Sequence, residues 1–587
     1  MTGSRLFDRL RYPRLLFGSV LAFATIVLFL ISRGKWSDAI IDSGREWIVP
    51  DALSRGELLY RDVVYWFGPW TPYFHAAFFR VLGSGFATLV VAGVVASLAI
   101  LALLHAALLR VTGRTEAAFW TALAIPALVF MPNAGGSILG MGYRIWHAAG
   151  FALAAIVLAA RPIPNRRLTL PRAAAIGGLC ALAGLCRTEW GAVSLLAVLF
   201  ALTLRSWSSY DGVREGGRIV AVAIAGFAAT IGAFCLAAGR DAVLTDGHVL
   251  LTNLPEETRQ FAIAFSGLRS WRSGLAEMVY SSAMWLGVFL VVFLAATRTR
   301  DPVALRRNGL TALSLLAVLG CSAALGGAGA GVVFSAAPAV CLAGVVAGIR
   351  LDRGPRAAVI GACGLAGFLL SYRRPFHITD SAYVGPPILF ALVCAAGLAH
   401  VAIVRQRVAP ARRRLRRFFV AALAAVTALG FVLRAVGYAG DERVPVPGTS
   451  AMLSARPELA RELVTLSGAL ERATPAAGRL VVFPEGELLN FLSRRRNPIR
   501  HKLYIPGYLT GENEGRILDE LRLEPPDAVV VWSRPAGEYG RTSFGADYGR
   551  RIWKWIREGY PPLAVPVPRP RAEAFVGVRR LPARAGP

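Results

Sequence analysis

The sequence predicts a polytopic α-helical membrane protein of about thirteen transmembrane helices, followed by a C-terminal extracytoplasmic α/β domain. Three observations predict it. Of the 587 residues, 55% are hydrophobic and 17% are charged, where an ordinary soluble domain carries roughly a quarter charged residues. Apolar stretches of about 14–24 residues recur as far as residue 436, most of them near the length that crosses a bilayer. The chain after Gly437 changes character, becoming polar and Pro-rich.

The apolar stretches lie near residues 14–32, 86–109, 117–131, 144–160, 173–186, 190–204, 219–238, 276–296, 311–327, 330–349, 357–371, 385–404 and 418–436. The pair around Arg187 is short and reads as two helices or as one long one. The distribution of Arg decides in favour of two, because cytoplasmic loops are the basic ones. Arg5, Arg9, Arg11 and Arg14 precede the first span, and every second loop after it is rich in Arg only if the chain turns near Arg187. The N-terminus is then cytoplasmic, the first span is a retained helix, and the C-terminus is extracytoplasmic. The expected organisation is a membrane domain over residues 1–436, with a first outer loop at 33–85, and an outer domain over 437–587. In that outer domain the apolar runs 479–484 and 527–532 read as buried strands, and 456–472, 513–523 and 546–558 as helices.

The net charge of +29 arises mainly from Arg in these short loops. It is topology information and does not describe a nucleic-acid surface. The seven Cys residues are scattered through apolar runs without metal-ligand spacing and read as small buried hydrophobes. Gly34-Lys35 is followed by Trp36, so there is no P-loop, and no HExxH or GxSxG motif occurs.

Polar chemistry concentrates in the first outer loop, Trp36 to Gly83. If Ser37 caps a short helix that Pro50 ends, Asp38, Asp42 and Glu46 recur at every fourth position on one face. Asp42 is the first candidate for general-base work. Glu46 shares that role or holds a divalent metal, and Asp38 complements the helix N-terminus. Asp62, beside Arg61 in LLYRDVVYWFGP, is a third candidate acid, with a structural pairing as the alternative. Further along, Arg187 and Glu189 form a mutual ion pair or touch substrate. Arg144 and His147, at i and i+3, bind a phosphate or hydrogen-bond across helices. Arg373, Arg374, His377 and Tyr383 form the best candidate phosphate clamp, since adjacent Arg residues on the outer face run against the positive-inside trend. His248 and Glu256–Gln260 belong to a loop covering the site. Glu485 and Glu487 read as structural.

The order of Asp42, then Gly56-Glu57, Tyr60-Arg61-Asp62 and Gly68-Pro69, after a first helix entering from the cytoplasm, resembles a known family. It is similar to the bacterial GT-C glycosyltransferases related to protein O-mannosyltransferases, lipid A aminoarabinose transferases and core galacturonosyl transferases. The resemblance covers the membrane half in arrangement and residues 36–83 in detail. It implies a polyprenyl-phosphate-linked sugar donor, inverting transfer on the periplasmic side of the bacterial inner membrane, and Asp42 as the base. The acceptor is a lipid, a glycan or a protein. The usual adjacent acids are replaced here, since Ser43 follows Asp42 and the next acid is Glu46. Two other classes fit a polytopic chain with an outer tail. One is a transporter or flippase for lipid-linked saccharides, which calls for a polar path at mid-membrane that the nearly charge-free spans do not offer. The other is an assembly protein, for which the loop acids would be dispensable.

Overall fold

Backbone in hydrocarbon must satisfy its own hydrogen bonds, so apolar runs of this length become helices. The computed structural model describes residues 11–40, 43–132, 135–139, 142–161, 168–206, 210–247, 255–265, 336–352, 354–371, 381–406, 408–532, 536–563 and 574–579, with residues 272, 275–276 and 278–283 between. Among them, five helices are long and apolar enough to cross a membrane: Phe86–Val111, Thr188–Arg205, Arg214–Ala238, Gly385–Val404 and Ala409–Ala439. Five shorter apolar helices, Leu16–Ser32, Tyr143–Ala159, Leu170–Cys186, Ala337–Arg350 and Pro355–Leu370, accompany them. The 26 residues of Phe86–Val111 span about 39 Å, against a hydrocarbon core of about 30 Å. The chain is a multi-pass membrane protein. The expected span 311–327 and most of 276–296 lie outside the described residues.

In chain order the first helices are α1 (Arg11–Ser32), α2 (Ser43–Ser54), α3 (Trp70–Leu82), α4 (Phe86–Val111), α5 (Arg114–Ala124), α6 (Tyr143–Ala159), α7 (Leu170–Cys186) and α8 (Thr188–Ser206). The chain does break near Arg187. That residue is extended (φ −155°, ψ 126°) and separates α7 from α8. The two helices touch through glycine, and a Cβ on Gly191 would stand 2.6 Å from the Cα of Gly184.

Ion pairs and hydrogen bonds mark the two ends of the bundle. At the Arg-rich end, the fully buried Glu116 at the start of α5 takes Arg416 at 2.8 Å and His400 at 2.6 Å. At the other end, Lys35 beyond α1 donates to the carbonyls of Tyr438 and Asp441 at 2.7 and 2.8 Å. Arg443 donates to the carbonyls of Lys35 and Ser37. The last long helix, Ala409–Ala439, therefore ends beside the end of α1.

The C-terminal segment carries strands Leu480–Phe483, Ala528–Trp532 and Ala574–Val578 in one sheet, the first pair parallel and the second antiparallel. Alternate side chains face opposite sides, as the strand period requires. Leu480, Val482, Ala528 and Val530 pack with Leu463, Leu466 and Leu470 of the helix Pro457–Ala473. Val481, Phe483, Val529 and Val531 face Ile517, Leu521, Ile552 and Ile556. Both faces are covered, which is why the strands read as unbroken apolar runs. The first of these two cores also takes in Trp47, Ile48, Leu53, Leu59 and Tyr60 of the first loop. The loop and the tail therefore fold on one another.

Two local expectations are corrected. Ser37 does not cap the helix, because Asp38 closes a turn instead, its carboxylate accepting from the Ile40 N–H at 2.8 Å. Helix α2 starts at Ser43, so Asp38 lies off it. Pro50 does not end the helix either; it sits inside α2, which continues to Ser54. The proline removes the hydrogen bond to the Glu46 carbonyl and costs about 3 kcal/mol. Burial of Trp47, Ile48, Val49, Ala52 and Leu53 outweighs that loss, at about 1.5–3 kcal/mol for each large side chain.

Candidate functional site

Helix α2 lies where the first loop, the membrane bundle and the tail meet. Its first turn carries Glu46, which is 8% exposed. Arg144, at the start of α6, reaches Glu46 with Nη1 at 3.5 Å and is itself 3% exposed. Its guanidinium carbon lies 3.8 Å from the ring centre of Phe67, and that of Arg187 lies 5.5 Å from the same ring. Arg187 pairs with Glu189 at 2.6 Å, while its buried Nε has no hydrogen-bond partner among the described residues. Arg144 and Arg187, from separate parts of the sequence, thus meet at one aromatic ring, and Glu46 joins them through Arg144. Burial pushes the Glu46 carboxyl above its usual range, with Arg144 and then Arg45 opposing the shift.

The strip from Val64 to Phe67 is held in place by backbone geometry. Tyr60 adopts φ +70° and its hydroxyl donates to the Phe67 carbonyl at 2.7 Å. Gly68 must be glycine, because a Cβ there would lie 1.9 Å from the Leu185 carbonyl oxygen. Pro69 then leads into α3. From the tail, Arg500 donates to the carbonyls of Arg61 and Tyr60 at 2.7 and 2.9 Å and reaches Asp246 at 3.4 Å. The strip and the tail enclose a cleft of about 800 Å³, counting the space open to solvent, which Arg45, Tyr65, Trp66, Lys502, Tyr508 and Arg516 help to line. Trp66 and Tyr508 stack across it with centroids 3.6 Å apart. Burial lowers the Lys502 ammonium to about 8; it donates to the Asn497 and Ile499 carbonyls at 3.1 and 2.6 Å.

Of the residues singled out in the sequence, the structure brings together Glu46, Arg144, Arg187 and Glu189. His147 lies one turn deeper on α6, its Nδ1 3.0 Å from the Thr71 hydroxyl; it packs against Phe74 and His75. Asp62 stands apart. It takes the Arg61 guanidinium at 2.9 and 2.7 Å and the Leu58 N–H at 2.7 Å, and the hydrogen bond from Arg61 holds its carboxyl below the usual range. Asp42, Arg373, Arg374, His377 and His248 lie outside the described residues, as does the side chain of Tyr383. Arg45, Phe67, Lys502 and Tyr508 were not singled out from the sequence. The aromatic run Tyr65-Trp66-Phe67 before Gly68-Pro69 was the available signal.

A guanidinium already stands against Glu46 where a cation would sit. Among the described residues no three His, Cys, Asp or Glu side chains converge as a metal site.

Fold and site define a multi-pass α-helical membrane protein with an acid–arginine group at one end of its bundle, covered by a loop and a C-terminal segment. No family model matches the chain, and no curated protein matches it. Among solved structures it is similar to ArnT from Cupriavidus metallidurans bound to undecaprenyl phosphate, with 14% identity and a TM-score of 0.47, covering 97% of this chain and 99% of that one. It is similar also to the Archaeoglobus fulgidus oligosaccharyltransferase in the apo form, with 13% identity and a TM-score of 0.49, covering 88% of this chain and 69% of that one.

Proposed function

We propose that this chain is a membrane glycosyltransferase of GT-C type, which transfers a sugar from a polyprenyl-phosphate-linked donor to a lipid, glycan or protein acceptor on the outer face of the membrane. The observation that carries the reading is the meeting of Arg144 and Arg187 at Phe67, with Glu46 paired to Arg144. A proton-handling acid and guanidinium groups stand together at the end of an apolar bundle, with a polar and aromatic cleft beside them. Polyprenyl phosphate needs that combination, because its chain belongs in the bilayer and its anionic head at the boundary. The cleft, walled by Tyr65, Trp66 and Tyr508, suits the apolar face of a sugar ring.

In this reading Asp42, two residues upstream of Gly44 in α2, takes the proton from the acceptor hydroxyl. The acceptor oxygen bonds to the sugar C1 as the C1–O bond to phosphate breaks, with inversion at C1, and the electron pair leaves on the polyprenyl phosphate. Arg187, with its Nε available, and Arg373 and Arg374 hold the leaving phosphate. Tyr383 and His377 complete that clamp. Arg144 holds Glu46, which orients α2 beneath the cleft. Asp62 keeps the turn 58–63 closed. In this reading the chain crosses the inner membrane thirteen times, with a cytoplasmic N-terminus and an extracytoplasmic tail, and the site faces outside.

The test is transfer of radiolabelled sugar from polyprenyl phosphate in membranes that express the wild type or Asp42→Asn. Loss of transfer at unchanged expression supports the reading. Retained transfer refutes the base assignment. A wild type that only moves the intact lipid-linked sugar across the bilayer would establish the transporter instead.

A further inference from the structure

One arginine of the tail is bonded to three segments that lie far apart in the sequence. Arg500 stands between the helices Leu488–Ser493 and Glu514–Leu523. Its Nε donates to the Arg61 carbonyl at 2.7 Å, and its Nη2 donates to the Tyr60 carbonyl at 2.9 Å. The same Nη2 reaches the Asp246 carboxylate at 3.4 Å, at the end of the turn Ala242–Asp246. The backbone of Arg500 is engaged as well. Its carbonyl accepts from the Val64 N–H at 3.0 Å, and its N–H donates to Glu520 Oε2 at 3.2 Å. Asp246 is in turn held by Arg516 at 2.8 Å.

These bonds fall where the first loop needs them. Tyr60 adopts a φ of +70°, a region that L residues with large side chains rarely occupy. Carbonyls at such a turn must find donors once they are withdrawn from water. A guanidinium meets two of them together, because its N–H groups form a rigid planar fork; an ammonium is a point donor and does not. Tyr60 then passes its position on, since its hydroxyl donates to the Phe67 carbonyl at 2.7 Å. Phe67 is the ring at which Arg144 and Arg187 meet.

We propose that Arg500 is a positioning residue for the site at Phe67, acting through Tyr60 and Val64, with Asp246 orienting its guanidinium. The tail is then a working part of the site and not only its cover. The inference rests on the glycosyltransferase reading for its kinetic test alone.

The test uses the full chain in detergent, as wild type, Arg500→Gln, Arg500→Lys and Asp246→Asn. The first readout is hydrogen–deuterium exchange resolved by peptide. Arg500→Gln should speed exchange over residues 58–68 by about tenfold or more, the worth of a hydrogen bond to a charged group. Exchange in α6 and in the strand Leu480–Phe483 should stay as in the wild type. Arg500→Lys should not restore protection, although it keeps a charge beside Asp246. Asp246→Asn should shift the same peptide in the same direction by less. Unchanged exchange over 58–68, an equal rise along the whole chain, or full protection in Arg500→Lys overturns the inference. The second readout is turnover of a polyprenyl-phosphate sugar. Arg500→Gln and Arg500→Lys should each lower kcat by about tenfold or more, because a displacement of about 1 Å can cost a hundredfold; an unchanged kcat also overturns the inference. If the wild type turns over no donor, the functional reading fails by itself, and the exchange pattern alone decides the role of Arg500.

Discussion

Replacing Arg144 with Met removes the cation that stands 3.5 Å from a buried carboxylate. At an effective dielectric of about 20, two unit charges at that distance attract by about 5 kcal/mol. Deleting one partner of a buried pair typically destabilises by about 3–5 kcal/mol, because the other charge stays buried alone. The contact of the guanidinium with Phe67, at 3.8 Å, adds up to about 2 kcal/mol when desolvated. Arg144→Met and Glu46→Gln should therefore each cost about 3–5 kcal/mol at pH 8, since either leaves the other partner of the pair buried. The double variant should be more stable than the two single costs sum to, with a coupling of about 2–3 kcal/mol. The pH dependence has a defined sign. Burial already raises the Glu46 carboxyl, and removing Arg144 raises it further, so the folded variant binds more protons than the unfolded chain. Its deficit should shrink as the pH falls towards 5 and grow as it rises. Equilibrium unfolding in mixed detergent micelles measures the cycle. A coupling below about 0.5 kcal/mol, the usual error of additivity, or a deficit independent of pH would refute the pairing as an energetic unit.

Two further outcomes follow from the packing around the strip 64–67. Gly68→Ala should displace that strip from α7, since its Cβ would meet the Leu185 carbonyl at 1.9 Å; unfolding and donor turnover should both show a loss, and a wild-type variant would mean that the loop relaxes freely. Trp66→Ala and Tyr508→Ala should each weaken donor binding, with a coupling of about 0.5–1.5 kcal/mol expected from a stacked pair whose centroids are 3.6 Å apart. Additive effects in titrations with a lipid-linked sugar would show that the two rings do not act together.

The membrane helices were legible because length and hydropathy alone specify a span, and because the alternation of Arg located the turn at Arg187. The strands at 480–483 and 528–532 lie on the two apolar runs of the tail. The start of α2 was misread for a local reason. Ser37 and Asp38 look like a helix cap, and Asx turns use the same residue types. Pro50 looks like a stop, and tertiary burial of its neighbours overrides it. Within the site, Arg144 and Arg187 were visible as charges beside apolar runs. Their meeting over Phe67, and the pairing of Arg144 with Glu46, were not, because these contacts join residues about 80 to 120 positions apart. The same holds for Tyr508 on Trp66 and for Arg500 on Tyr60. Glycines separated two causes that a motif leaves fused: Gly56 serves a positive φ of 98°, whereas Gly68 serves a close approach to another helix.

Donor turnover by purified protein tests the central claim most directly. Release of free polyprenyl phosphate from a panel of polyprenyl-phosphate sugars would be followed for the wild type, Asp42→Asn, Glu46→Gln and Asp62→Asn. The account predicts turnover by the wild type that disappears in Asp42→Asn, falls in Glu46→Gln and survives in Asp62→Asn. Equal turnover in all four, or none by the wild type with any donor, would contradict it.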